Sequence, residues 1–173
     1  MIQLSFEPAY DAYHAIFRHL RLRDLATGEN GLPIDQFRIL DYYLMFPFRL
    51  EQFRLKRGHG RYRAMFRRLA AEPRYVEHPS DKMVFERMRP IQDASLQTLA
   101  QKQLFDLACL EDGVVRSTAA PLPENTAERI ERANEGESEL MEFLNVLARD
   151  YPLLGPDGLK DRSGLMEYRY DAL

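Results

Sequence analysis

The chain has no tryptophan and only one cysteine, Cys109. A lone cysteine excludes an intramolecular disulfide and fits a reducing cytoplasm. No apolar run approaches the roughly 20 residues that cross a bilayer. The opening residues, MIQLSFEPAYDAYHA, carry neither a basic n-region nor an apolar h-region, so no signal peptide is expected. These absences predict a cytoplasmic protein with no membrane partner. Phosphate-binding glycine loops, GxSxG and HExxH are also missing. Of the four histidines, His14 and His19 are spaced poorly for one helical face, His59 sits between glycines and His78 precedes a proline. With no paired cysteine to complete a zinc site, all four read as packing or surface residues. Cys109 reads as a small buried apolar residue. No enzyme activity and no cofactor are expected.

What the chain does have is apolar mass. Of its 173 residues, 45% are hydrophobic, with nine tyrosines and ten phenylalanines. That is enough for a real core in one domain with helical extensions. The net charge of −3 gives no overall attraction to nucleic acid. Its distribution is more telling. Between Arg49 and Arg68 there are eight basic residues against Glu51 alone. Between Glu124 and Asp150 there are eight acids against Arg129, Arg132 and Arg149. Two readings stand side by side. The molecule is bipolar and docks to partners of complementary charge, or the two segments neutralise each other across the fold.

Periodicity organises the rest. Pro8 opens a first helix with Tyr10, Tyr13, Phe17 and Leu20 as its apolar stripe, and Arg18, Arg21 and Arg23 elsewhere. Pro33 starts a second, with Phe37, Leu40, Tyr43 and Leu44 inward, until Phe46-Pro47-Phe48 breaks it. Asp35 and Asp41 flank that helix without an evident partner. A short helical turn near Leu50–Arg54 and a Gly58-His59-Gly60 joint precede a helix over about 62–71, with Phe66 and Leu69 inward. Arg74-Tyr75-Val76 reads as a short extended segment. Ser80 reads as an N-cap, with Asp81 favouring the helix dipole.

The run Met83–Thr118 carries a specific pattern. Val84, Phe85 and Met88 share a helical face, and Pro90 marks a new helix start. Ile91, Ala94, Leu96, Leu99, Ala100 and Leu104 continue at helical spacing. Then Leu107–Leu110 and Val114-Val115 flank Asp112-Gly113, a hairpin signal. A helix feeding a hairpin is how a winged helix ends. Beyond Pro121-Leu122-Pro123, an acidic helix is predicted over about 124–150, weakened at Gly136 by about 1 kcal/mol relative to alanine. The C-terminal stretches 151–159 and 165–170 are too apolar and aromatic for a disordered tail. The expected fold is therefore mainly α with a small β-hairpin. A winged-helix-like domain covers 1–122, and an acidic helix with an apolar docking segment covers 123–173.

Two motifs carry a family resemblance. The segments Ile39–Leu50 (ILDYYLMFPFRL) and Phe85–Leu96 (FERMRPIQDASL), with the Leu99-Ala100 pair, resemble the middle component of three-component ABC systems. These are bacterial defence operons, Lamassu antiphage systems among them, that pair an SMC-like ABC ATPase with a small middle protein and a variable effector. The resemblance implies a non-catalytic subunit that links the ATPase to the effector, such as a nuclease, and helps to hold that effector inactive until foreign DNA is sensed.

The candidate contact residues follow from charge and apolarity. Arg54, Lys56, Arg57, Arg61, Arg63, Arg67 and Arg68 interleave with Tyr62 and Phe66, a pattern suited to protein or DNA-backbone contact. Asp112 of the hairpin and Leu153, Leu154, Leu165 and Tyr168 of the C-terminal segment complete the set. The alternative is a winged-helix DNA-binding transcriptional regulator. It would set the arginines on phosphates and place the Pro90–Gln103 helix, with Gln92, Gln97, Gln101 and Gln103, in the major groove. That helix carries one cation, Lys102, which suits protein docking better than DNA reading.

Overall fold

A computed structural model describes residues 7–71 and 80–167. After a short 3-10 turn at Pro8–Tyr10, helix α1 spans Ala12–Arg21. Its cap is Asp11, whose side chain accepts a bond from the His14 amide at 2.9 Å. Helix α2 spans Ile34–Met45, entered through Pro33 and ended at Phe46. It is the hub of the core: Phe37, Ile39, Leu40, Asp41 and Tyr42 are all fully buried, so the helix is covered on every side. Helix α4 (Asp81–Gln101) and helix α7 (Ser138–Asp150) pack against it, as does α1. Helix α3 (Arg63–Ala70) lies on the 3-10 turn Pro47–Gln52. Helix α5 spans Leu107–Glu111, α6 Glu124–Gly136 and α8 Leu159–Ser163. Val84, Phe85, Met88, Leu96 and Leu99 of α4 join Phe143, Leu144 and Leu147 of α7 in one hydrophobic core.

The fold is mainly α with a small antiparallel sheet, as expected. The strands differ from the expectation. Strand β1 (Leu32–Pro33) pairs with β2 (Val114–Val115), Leu32 opposite Val115 and Pro33 opposite Val114. Leu107–Leu110 is not the first arm of a hairpin but helix α5, capped by Asp106, which accepts from the Cys109 amide at 3.0 Å. The Asp112-Gly113 pair ends that helix: Gly113 at φ +80° takes the left-handed conformation that closes a helix as readily as a hairpin. The sheet also depends on Gly31, at φ +56°. A Cβ there would lie 2.5 Å from the Val115 carbonyl oxygen and 2.8 Å from a Val114 methyl.

Two helix readings, of Pro90 and of the acidic segment, are also corrected, while the Ser80 cap holds in position. Pro90 does not start a helix but sits inside α4. It is exposed, so the Glu86 carbonyl that its missing N–H leaves without a helix partner lies on the solvent side. Ser80 occupies the cap position of α4, yet its side chain makes no capping bond. The acidic segment is two helices, α6 and α7, parted at Gly136-Glu137, because the glycine weakens a continuous helix there. The extended reading of Arg74–Val76 lies outside the described residues.

The largest departure is in α1. Tyr13, expected inward, is 83% exposed. Arg18, expected outward, is buried with His19, between Ala15 and Leu22. Its guanidinium meets Asp41 twice, Nε to Oδ1 at 2.7 Å and Nη2 to Oδ2 at 3.1 Å. Gln92 of α4 donates to the same Oδ2 at 2.8 Å and accepts from Arg38 Nε at 3.0 Å. Asp41 thus has partners on two other helices. Asp35 is also paired, with Arg38 at 3.1 Å and Lys160 at 3.5 Å. Burial opposes the charge on Asp41, but the Arg18 guanidinium and the neighbouring His19 more than offset it, holding the carboxyl well below the usual carboxylate range.

Candidate partner interface

The basic segment is held in place by aromatic packing. Phe53 lies against Phe143 and Tyr151 at 6.0 and 5.6 Å between ring centres, and Tyr62 and Phe66 reach Phe143 at 4.7 and 4.9 Å. The Tyr151 hydroxyl accepts from the Lys56 amide at 3.0 Å and lies 2.9 Å from His59 Nδ1. Phe143 and Tyr151 therefore anchor both ends of the loop between Phe53 and Tyr62. The C-terminal segment seals its other side. Arg54 N–H donates to the Arg162 carbonyl at 3.2 Å, and Arg162 Nη1 donates to the Arg54 carbonyl at 2.8 Å.

On this scaffold the basic side chains part into two sets. Arg54 pairs with Asp161 at 2.7 Å, Arg61 with Glu142 at 2.9 Å and Arg68 with Glu139 at 2.5 Å. Lys56 donates to the Asp150 carbonyl and lies 4.6 Å above the Tyr151 ring. Arg57, Arg63 and Arg67 are exposed and form no ion pair among the described residues. Among the described residues, ion pairs between the two segments are thus limited to Arg61–Glu142 and Arg68–Glu139, with His59 beside Asp150, while Arg49 and Arg54 pair with Asp81 and Asp161 outside the acidic segment. Arg54, Arg63 and Arg67 line a groove of about 410 Å³ with Glu51, Phe53, Leu55 and Phe66.

A family model for the ABC-three component (ABC-3C) system Middle Component 5 matches residues 4–171. The chain belongs to that family. No curated protein matches it, and no solved structure does. In this middle component the family match runs through both the basic and the acidic segments, so the face they build lies within the family's own extent.

The remaining candidate residues scatter over the middle component. Asp112 is exposed at the end of α5. Leu154 is exposed and Leu153 half-buried, whereas Leu165 is 2% exposed and packs in the chain's own core. Tyr168 lies outside the described residues. Gln92, weighed as a reader of adenine, is fully buried and bonded to Arg38 and Asp41, so it reads no base; Gln97, Gln101 and Gln103 are exposed. Cys109 is half-buried rather than buried as expected, and desolvation raises its thiol pKa, the direction opposite to that of an activated nucleophile. Among the described residues no cluster of three His, Cys, Asp or Glu side chains could hold a metal ion, and no helix is long and apolar enough to cross a membrane. Sequence reasoning did not single out Glu139, Glu142, Asp150 and Asp161 as the partners of the basic segment. For Glu139, Glu142 and Asp150 the signal was the excess of acids over 124–150; Asp161 lies outside that stretch.

Proposed function

We propose that this middle component is a non-catalytic adaptor. It joins an SMC-like ABC ATPase to an effector, such as a nuclease, in a Lamassu-like antiphage or antiplasmid complex. ATP hydrolysis belongs to the first partner and the toxic act to the second. The observation that carries this reading is the family match over residues 4–171. A face whose backbone is packed on Phe143 and Tyr151 and that carries three arginines without an ion pair among the described residues supports it, because a surface already built needs little reordering to meet a partner.

Co-purification of the tagged protein with the products of its neighbouring genes, at low and high salt, tests the proposal. Recovery of a large coiled-coil ATPase at both salts is the expected result. Recovery of the protein alone, with DNA binding that falls steeply as salt rises, would make it a DNA-binding regulator instead.

A further inference from the structure

Helices α6 and α7 are equal in length, 13 residues each, and meet at Glu137, yet they are held by different means. Helix α7 buries Leu140, Phe143, Leu144 and Leu147 in the core, whereas α6 buries no residue. The one large apolar side chain of α6, Ile130, reaches the core only half-buried. The helix's own terms are weak. No side chain caps its start, its last turn carries Glu135 and no base, and it ends on Gly136. A helix of this length without an apolar anchor is marginal in water.

What holds α6 is a polar latch on α1. Arg21 Nε donates to Asn134 Oδ1 at 2.8 Å, and its Nη2 donates to the Ala133 carbonyl at 3.4 Å and to Glu137 Oε2 at 2.6 Å. Asn134 Nδ2 returns a bond to the Arg21 carbonyl at 3.1 Å. The Arg129 guanidinium lies over the Phe17 ring, 5.4 Å from its centre. The chain is weakly tied at both ends of the helix. Upstream, Arg23 fixes it as far as Ala120 by donating to the Thr118 and Ala120 carbonyls, each at 2.6 Å. Pro121 and Pro123 follow, with half-buried Leu122 between them, and neither proline has an N–H to tie the connector down. Downstream, Glu137 leaves the helical conformation at φ −123°, ψ 35°, which separates α6 from the anchored α7.

We propose that α6 is a strap that lifts from α1 as a unit while the core stays folded. It hinges at 121–123 and at Gly136-Glu137, and Arg21 is its latch. Elements with few buried apolar contacts open at a lower free energy than the whole molecule unfolds. Lifting uncovers Phe17 and Arg21, which follow the already exposed Tyr13 at i+4 and i+8 on α1, so one row of that helix opens to solvent.

Hydrogen exchange of the full chain, at urea concentrations below the unfolding transition, tests the strap. The hydrogen-bonded amides of α6 should exchange roughly a hundredfold faster than those of α7, with little dependence on urea, because a local opening exposes little surface. Arg21→Ala should speed α6 by about tenfold more and leave α7 within about threefold of wild type. Gly136→Ala, where an added methyl meets no atom within 4 Å, should slow α6 by about threefold. Exchange of α6 together with α7, at the same urea dependence, would overturn the strap, since the helix would then open only when the molecule unfolds. Equal acceleration of both helices in Arg21→Ala, or none in α6, would overturn the latch. The wild-type comparison of the two helices stands by itself if Arg21→Ala does not fold.

Discussion

Arg18 and Asp41 form a two-point ion pair in the middle of the core, closed to water and shared with Gln92. The pair ties α1 to α2, and Gln92 brings in α4. Removing one partner from such a pair leaves the other charge buried without compensation, which costs about 3–5 kcal/mol. Arg18→Ala is therefore expected to lower the unfolding free energy by that amount, read as a fall in the urea midpoint. A loss below about 1 kcal/mol would mean that the charge on Asp41 is neutralised some other way.

The same carboxylate sets an acid limit. Its folded-state pKa is depressed, so its contribution is fully present above the unfolded value of about 3.9 and is lost as pH falls through the folded value. Stability should drop steeply below about pH 4. Asp41→Asn should start from a lower stability and show a shallower acid limb, measured by denaturant titration between about pH 2 and 6. Parallel limbs would assign the acid sensitivity to other carboxyls.

Leu99 is 3% exposed in the face of α4 that meets the core. Leu99→Ala should cost about 2–5 kcal/mol through lost burial and the cavity left behind. A cost below about 0.5 kcal/mol would show that the site collapses on itself.

Gly31→Ala places a methyl against the β2 backbone at a positive φ. The strain should cost roughly 1–3 kcal/mol and loosen the β1–β2 pair. Hydrogen exchange at the Ile34 amide, which donates to the Gly113 carbonyl at 2.9 Å beside that sheet, should speed up. Unchanged exchange would mean that the loop shifts to make room.

Replacing Arg61, Arg63 and Arg67 with glutamate should leave the melting temperature within a few degrees of wild type, because exposed charges contribute little to stability. It should abolish partner engagement. Full activity in this variant would remove the basic face from the adaptor mechanism.

Elements bounded by local signals were legible in the sequence. Pro33 and Phe46-Pro47 bracket α2, and the Gly58–Gly60 joint precedes α3, because these boundaries are set by backbone sterics within a few residues. The buried ion pair was not legible, since amphipathic logic sends arginine outward and Arg18 lies 23 residues from Asp41. A trace was present: Asp41 interrupts the apolar run Ile39–Leu44, and Arg18 falls in the helical row of Ala15 and Leu22. The strand pairing failed for a related reason. Leu32 and Val115 are far apart in sequence, so the nearer Leu107–Leu110 looked like the partner. The basic face was half legible: composition located the cations, but which ones are matched depends on how α7 lies against them.

The matched arginines have a consequence for selectivity. An anion that approaches Arg61 or Arg68 competes with a carboxylate already tethered beside it. Tethering of this kind corresponds to effective concentrations in the mM range or above. Weak, monovalent anions therefore gain little there. Arg63 and Arg67 have no such tethered carboxylate to displace among the described residues.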